Sequence, residues 1–212
     1  MKKSFYKTVT EHSEYKIPKI KGSIFIGNIF YIESKEEGER YIKTIEKKYP
    51  DASHHCYAWR YEVQMNYDIF GTAIYTSKHN KVSDAGEPTN TAGKPIMNAI
   101  EKQELHNILV VVTRYFGGTL LGVGGLIQAY SESAKQTLQH AKITETEITK
   151  TIKFSYPFDL VSIVKKTLNK YQAKTAKENY DKNVDTEISI NSGYLEEFKK
   201  EIFENSQGKI KI

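Results

Sequence analysis

The chain has 212 residues, of which 39% are hydrophobic and 27% are charged, and its net charge is +5. The hydrophobic fraction can support a packed core, and the length allows one large domain or two small ones. The mild positive charge is not that of a dedicated nucleic-acid arm, so charge alone is only a weak indication of polyanion binding.

Three features of the sequence bear on where the protein works. Cys56 is the only cysteine, so no intrachain disulfide can form, as expected in a reducing cytoplasm. No apolar run follows the basic N-terminus, residues 1–7, which argues against a secretory signal. No stretch approaches the roughly 18 apolar residues of a membrane span. We therefore predict a cytoplasmic protein with no membrane partner.

The first part of the chain alternates predicted strands and helices. Residues 23–32 are rich in β-branched and aromatic side chains and predict a strand. Ser34 and Glu37 have the spacing of a capping box, which predicts a helix after that strand. Residues 54–63 predict a second strand and residues 67–76 a third.

A continuous apolar run, residues 108–113, predicts a central strand that is buried on both faces. A helix that begins at Gly93 precedes it, with Pro95 tolerated in the first turn. Another helix is predicted from Gly125 to Ala141, where apolar residues recur at helical spacing.

Two glycine-bearing loops flank this apolar strand. The first covers residues 83–91, and the second covers residues 114–126. Seven of the chain's 13 glycines lie between Gly86 and Gly125. Because glycine permits positive φ angles and close approach of the backbone, the two loops predict a built site rather than a spacer.

The pattern resets after residues 142–147, which we interpret as a hinge. The following residues predict the element order βαββαβ, the split βαβ arrangement of ferredoxin-like domains. The predicted strands are residues 148–156, 173–180, 184–190 and 209–212, and the predicted helices are residues 158–171 and 194–204. We therefore predict an α+β protein of two domains, residues 1–145 and 146–212.

Asp84 and Glu87, in the first loop, are the candidate catalytic residues. Two carboxylates at this spacing can act as acid and base or hold a divalent ion. Both can equally serve the structure, the aspartate in an Asx-turn and the glutamate as a cap of the helix that follows. The sequence leaves both interpretations open.

The second loop is the candidate for binding an anion or a nucleic acid. The Walker A and dinucleotide templates fail, because Pro88, Pro95 and Ile127 occupy positions that these motifs require. What remains is a glycine-rich helix start whose N–H groups attract anions, with Arg114 as a bidentate contact. The aromatic pair after this arginine either stacks on bases or packs structurally. The candidate residues are Lys94, Arg114, Tyr115, Phe116, Gly117, Gly118, Gly122, Gly124 and Gly125.

The segment His54-His55-Cys56 contains possible metal ligands. Alternation along a strand puts at most His54 and Cys56 on one face, and no second cluster completes a tetrahedral set. We predict no metal and no cofactor.

Several segments resemble signatures of the IMPACT/YigZ family. Residues 84–96 are similar to the family pattern Asp-Asp-Gly-Glu-Pro-Ser-Gly-Thr-Ala-Gly-x-Pro-Ile. Residues 111–118 and 121–130 are similar to the second family signature. Residues 21–27 and 52–58 match earlier family blocks, so the resemblance covers nearly the whole chain in order.

Three positions depart from the family pattern. Ala85 stands where a second aspartate is common, which weakens a two-metal interpretation. Asn90 replaces a glycine but can also adopt the left-handed conformation. Gln128 replaces a frequent arginine and removes one cation near the helix start. These departures favour an anion-binding surface over a catalytic metal site.

The resemblance implies an N-terminal domain with the fold of ribosomal protein S5 domain 2. It also implies a ferredoxin-like C-terminal domain similar to the terminal domain of elongation factor G. Eukaryotic relatives regulate the kinase that phosphorylates an initiation factor. They carry an extra N-terminal domain, so we do not expect that partnership here, and the link to translation factors rests on analogy of fold.

Our leading hypothesis is a non-enzymatic, translation-associated module that binds RNA or the ribosome. The alternative is an enzyme acting on a phosphorylated small molecule or nucleotide between the two glycine loops. In that enzyme Lys94 and Arg114 would neutralise the phosphate. Asp84 or Glu87 would act as base or metal ligand. A third hypothesis is a protein partner at an exposed edge of the C-terminal sheet.

Overall fold

The computed structural model describes residues 4–63 and 77–212, which form ten β-strands and five α-helices. The strands are β1 (Phe5–Val9), β2 (Ser13–Lys16), β3 (Ile24–Tyr31), β4 (His54–Val63), β5 (Ser77–Ser83), β6 (Ile108–Tyr115), β7 (Ile143–Glu147), β8 (Thr149–Tyr156), β9 (Lys174–Tyr180) and β10 (Val184–Asn191). The helices are α1 (Lys35–Lys48), α2 (Gly93–Lys102), α3 (Gly122–His140), α4 (Val161–Lys170) and α5 (Leu195–Asn205). The strand predicted at residues 67–76 lies outside the described residues.

Five strands form an antiparallel sheet in the order β2-β3-β6-β4-β5. The central strand β6 is buried along its length except at Tyr115, which confirms the prediction of a central strand. Phe25 of β3 and His54 of β4 lie opposite Arg114 of β6, one on each side. The end of β6 therefore places Arg114 between two neighbouring strands.

Helical layers cover both faces of this sheet. Val110 and Val112 share one hydrophobic core with helices α2 and α3. Leu109 and Val111 share the other core with helix α1. Successive residues of a strand point to opposite faces, so β6 contributes to both cores. Each fully buried side chain of this size stabilises the fold by about 1.5–3 kcal/mol.

Helix α1 begins at the capping box predicted from the sequence. Ser34 is the N-cap, and its Oγ accepts the N–H of Glu37 at 3.2 Å. The Glu37 carboxylate accepts the N–H of Glu33, at 2.9 Å, instead of that of Ser34. The first contact satisfies an N–H group that the first turn of a helix leaves unpaired, and the second fixes the chain just before the N-cap.

Helix α3 lies against β3 at Gly27. A Cβ atom added at Gly27 would lie 2.0 Å from Oγ1 of Thr137. That oxygen in turn donates to the carbonyl of Ser133 at 2.6 Å, and both helical side chains are buried. Only glycine therefore permits this separation between α3 and the sheet.

The chain divides into two compact units. The described residues of the first unit are 6–63 and 77–145, and those of the second are 4–5 and 146–212. In the second unit β8, β10 and β9 form an antiparallel sheet in that order. Helices α4 and α5 share a hydrophobic core with this sheet.

The predicted final strand, residues 209–212, is wrong: these residues form no strand. Helix α5 is followed by Gly208 with a φ of 77°, and the Gly208 N–H donates to the carbonyl of Phe203 at 2.8 Å. The Ser206 hydroxyl oxygen accepts the N–H of Ile210 at 3.1 Å. A side chain thus satisfies the backbone group that a strand would have paired, and the second unit has the order βαββα.

Residues 142–147, predicted as a hinge, contain the boundary between the two units, which falls after Glu145, but they are not irregular. Ile143–Glu147 form β7, which pairs with β1 in a two-stranded sheet. The only apolar residue of β7, Ile143, is exposed, so no alternation of apolar residues marks this strand. The strands β2 and β5 are not predicted from the sequence for the same reason, because most of their residues are polar.

Two helices begin at residues other than those predicted from the sequence. Helix α3 begins at Gly122, three residues before the predicted Gly125, so the last glycines of the second loop belong to its first turn. The helix predicted at residues 158–171 is divided into a 3-10 turn, Phe158–Leu160, and helix α4.

These elements confirm an α+β protein. The assignment of residues 1–145 to the S5 domain 2-like fold, and of residues 146–212 to the ferredoxin-like fold, stays a prediction. Across residues 4–63 and 77–212, no helix combines the length and the apolar character needed to cross a membrane.

Candidate functional site

Asp84 ties the first glycine loop to the start of helix α2. Its Oδ1 accepts the N–H groups of Ala92 and Gly93 at 2.9 Å, and its Oδ2 accepts that of Asn90 at 2.8 Å. Burial by itself raises the pKa of this carboxyl group, but the three N–H donors outweigh burial and lower the pKa. Asp84 therefore caps the start of α2 with Oδ1 and holds the preceding loop with Oδ2.

The backbone of the first loop is left-handed at three positions. The φ angles are 44° at Ala85, 88° at Gly86 and 63° at Asn90. The left-handed Asn90 agrees with the expectation that asparagine can replace glycine here. A left-handed alanine costs of order 1 kcal/mol, and the hydrogen bonds of Asp84 help to hold the loop in this shape.

Glu87 and Arg114 form a buried ion pair. Nη1 of Arg114 lies 2.6 Å from Oε1 of Glu87, and the two side chains are only 5% and 4% exposed. Nη2 of Arg114 also donates to the Ser23 hydroxyl at 3.3 Å. Its Nε is buried and has no hydrogen-bond partner among the described residues. Removing either partner would leave an unpaired buried charge, which is strongly destabilising.

Tyr130 and Cys56 extend this polar cluster. The Tyr130 hydroxyl donates to Oε1 of Glu87 at 2.8 Å. The Cys56 thiol lies 2.9 Å from the carbonyl oxygen of Asp84 and 3.3 Å from the Tyr130 hydroxyl oxygen. Burial raises the pKa of the Tyr130 hydroxyl, and it raises the pKa of Cys56 to about 12. Both groups therefore stay protonated at neutral pH, and Cys56 is not an activated nucleophile.

His54 lies beside the ion pair. Its Nδ1 is 3.0 Å from the carbonyl oxygen of Ala85, and its Nε2 is 3.8 Å from Oε1 of Glu87. The neighbouring His55 contacts the Thr113 hydroxyl instead. Within the described ranges no group of three or more His, Cys, Asp or Glu residues could hold a metal ion.

The second glycine loop packs closely against a turn at Gly22. A Cβ atom added at Gly117 would lie 2.0 Å from the carbonyl carbon of Gly22. The Gly117 N–H donates to the Ser23 hydroxyl oxygen at 3.1 Å. Because Ser23 also accepts from Arg114, one hydroxyl connects the second loop to the buried ion pair.

Phe116 lies above the guanidinium group of Arg114. Its ring centroid is 5.5 Å from the guanidinium carbon, and that of Phe25 is 5.6 Å from the same carbon. Such contacts stabilise a cation between two aromatic rings. Phe116 is nevertheless 48% exposed. Tyr115 points elsewhere, and its hydroxyl donates to Asp51 at 3.0 Å.

The remaining glycines of the second loop lead into helix α3. Gly118, Gly122 and Gly124 are exposed, and a Cβ atom added to any of them would meet no atom within 4 Å. The N-cap, Leu121, provides no side-chain hydrogen bond, and the first turn contains no acidic residue. No side chain in the described part of the protein caps the first N–H groups of α3, as an anion-binding helix start requires.

Two predicted site residues stand apart from this arrangement. Lys94 is exposed on α2, and its side chain makes no hydrogen bond or ion pair within residues 4–63 and 77–212. Gly125 is half-buried, and a Cβ atom there would lie 3.0 Å from that of Leu121. Sequence reasoning missed Ser23 and Tyr130. Ser23 is 91 residues from Arg114 in the chain, and Tyr130 is 43 residues from Glu87. Only their position within the family signatures could have signalled a role.

The Impact N-terminal domain matches residues 21–138, which include both glycine loops. The chain is 31% identical over 209 residues to an IMPACT family member from Haemophilus influenzae, with 94% of this chain and 96% of that protein covered. The chain belongs to the IMPACT family. It is also 31% identical to IMPACT family member YvyE from Bacillus subtilis, with 98% of this chain and 89% of that protein covered.

A crystal structure of a hypothetical protein shares the fold of this IMPACT family chain. The match covers 100% of this chain and 97% of the other, with a TM-score of 0.67 and 24% sequence identity. The polar cluster around Glu87 and Arg114 lies inside the region that matches the Impact N-terminal domain, whereas residues 146–212 of the second unit follow it in the sequence.

Proposed function

We propose that this IMPACT family protein is a non-enzymatic, translation-associated module of the cytoplasm that binds RNA or the ribosome. The binding surface is the second glycine loop with the start of helix α3. The observation that carries the proposal is the half-exposed ring of Phe116, which lies on the buried guanidinium of Arg114 beside an uncapped helix start.

This surface has the two chemical properties that an unpaired RNA segment requires. An exposed aromatic ring stacks on any base and contributes about 1–3 kcal/mol per stacked base. Uncapped N–H groups at a helix start bind a backbone phosphate. The exposed ammonium of Lys94 and the net charge of +5 add a long-range attraction for polyanions.

In this proposal Arg114 supports Phe116 and does not contact the phosphate directly, because its guanidinium is held by Glu87 and Ser23. Asp84 and Glu87 are likewise engaged within the fold. The hydrogen bonds that engage these two carboxylates within the fold support a binding module more than an enzyme.

RNA-shift assays and ribosome sedimentation at low salt test the proposal. The F116A variant should bind a single-stranded RNA about tenfold more weakly, because one stacking contact is lost. F203A is the matched control, since Phe203 is also 48% exposed but lies in helix α5. Binding by the unmodified chain should weaken as salt rises, with a log–log slope of about −0.7 per phosphate contact. The proposal is wrong if the unmodified chain binds neither RNA nor ribosomes.

A further inference from the structure

Two aromatic rings stand exposed at one end of the sheet of the second unit. Phe158 is 50% exposed and Tyr180 is 55% exposed. Their ring centroids lie 6.4 Å apart, and their planes are 19° from parallel. Exposed apolar surface is unfavourable in water. A stacked pair that remains outside the adjacent core therefore marks a surface that another molecule can cover.

The strand that carries Tyr180 is an edge strand. Among the described residues β9 pairs only with β10, and nearly all of its side chains are exposed. The outer backbone groups of an edge strand can pair with an added strand. The irregularity in the β9–β10 pairing lies at Glu187 and Ile188, so the pairing is regular from Lys177 to Tyr180.

A buried hydroxyl lies in the same cross-strand row. Tyr156 and Tyr180 both lie opposite Val184, so the three side chains share one face of the sheet. Tyr156 is 1% exposed, and its hydroxyl has no hydrogen-bond partner among the described residues. A buried hydroxyl without a partner is costly, so the cross-strand row that ends at Tyr180 contains an unsatisfied polar group.

A carboxylate lies beside the exposed aromatic pair. Glu178 lies two residues before Tyr180 on the same face, and it accepts the Tyr180 hydroxyl hydrogen at 2.6 Å. Burial raises the pKa of Tyr156 to about 12, and the nearby charge of Glu178 adds to this shift. Asp159 adjoins Phe158 and pairs with Lys209 at 3.6 Å. Aromatic faces and carboxylates both attract cations.

We infer that this surface, which we call the β9 edge site (Phe158, Glu178, Tyr180 and the outer edge of β9), binds an extended peptide carrying a lysine or arginine side chain. The peptide backbone pairs with β9, and the cationic group lies on the two rings beside Glu178. A polyanion is disfavoured on this face because Glu178 would repel it. Lys177 projects from the opposite face of the strand. The protein partner expected at the C-terminal sheet would thus be a cationic extended peptide. The β9 edge site shares no residue with the proposed RNA surface.

The test titrates the isotope-labelled full chain with the capped peptide Thr-Val-Arg-Val-Thr, followed by NMR. We expect the amide signals of residues 158–160 and 177–181 to shift. The same peptide with citrulline in place of arginine keeps the shape but lacks the charge, and it should bind at least about fivefold more weakly. Y180A and E178Q should weaken binding of the arginine peptide by a similar factor.

F203A is the control within the same unit, because it removes an equally exposed ring in helix α5, outside the β9 edge site, and should leave peptide binding unchanged. E178Q preserves the shape of the surface, so a loss of binding in this variant does not depend on unfolding. Equal binding of the citrulline peptide, unshifted amides at residues 177–181, or tighter binding of oligouridine at these amides would each overturn the inference.

Discussion

The carboxylate of Glu87 and the guanidinium of Arg114 meet at 2.6 Å, and neither side chain is more than 5% exposed. The two residues are separated by 27 positions in the chain. Their contact joins the first glycine loop to the end of β6. Because Ser23 links Arg114 to the second loop, the ion pair fixes the two family signatures relative to each other.

The substitution E87Q should therefore destabilise the protein by about 3–5 kcal/mol, because it leaves the Arg114 charge buried without a counter-ion. Denaturant unfolding measures this change. E39Q is the control, since Glu39 forms only an exposed pair with Lys35, and its loss should cost about 0–1 kcal/mol. An E87Q chain with unchanged stability would contradict a structural role for Glu87 and revive its role as an acid or base.

The substitution D84N should cost about 1–2 kcal/mol at neutral pH, because the amide has only one oxygen for the N–H groups that the carboxylate accepts at the start of α2 and in the loop before it. The folded pKa of Asp84 is lowered, so its stabilising effect is present above the unfolded pKa of about 3.9 and disappears as the pH falls through the folded value. The difference in unfolding free energy between D84N and the unmodified chain should thus shrink in acid. A difference that stays constant down to pH 2 would contradict this account.

Glycine substitutions in the second loop should have opposite effects on stability. G117A places a methyl group 2.0 Å from the backbone of Gly22 and should destabilise by about 1–3 kcal/mol. G124A meets no atom and lies in helix α3, so it should stabilise by up to about 1 kcal/mol. Thermal unfolding of the two variants checks the contrast. A G117A chain as stable as G124A would show that the packing against Gly22 is not constraining.

The Cys56 thiol should resist alkylation in the folded protein. It is fully buried, and its pKa is raised to about 12, so almost no thiolate exists at pH 8. Labelling with iodoacetamide should be slow in buffer and rapid in denaturant. Fast labelling of the folded chain would indicate that the polar cluster around Glu87 opens to solvent.

Local sequence patterns predict the elements whose burial follows a simple rule. β4 spans the residues expected from its alternation, and β6 follows from a continuous apolar run. The Ser34 cap follows from short-range spacing. β7 is not predicted because its residues are mostly polar and none of them is fully buried.

The candidate site is less accessible to sequence reasoning. The expectation that Arg114 binds an anion treats it as an isolated cation, whereas its surroundings depend on pairing across the sheet. Glu87, Ser23 and Tyr130 reach Arg114 or its partner only through strand register and the packing of α3. These contacts cannot be predicted from short-range spacing in the sequence.

Gly27 affects the position of the proposed binding surface although it lies outside the two glycine loops. The contact between Gly27 and Thr137 sets the height of α3 above β3, and the first turn of α3 carries the exposed glycines of the second loop. A methyl group at Gly27 would clash with Thr137, so α3 and the glycines in its first turn would have to move away from β3. A substitution at position 27 should therefore change RNA binding without removing any residue of the binding surface.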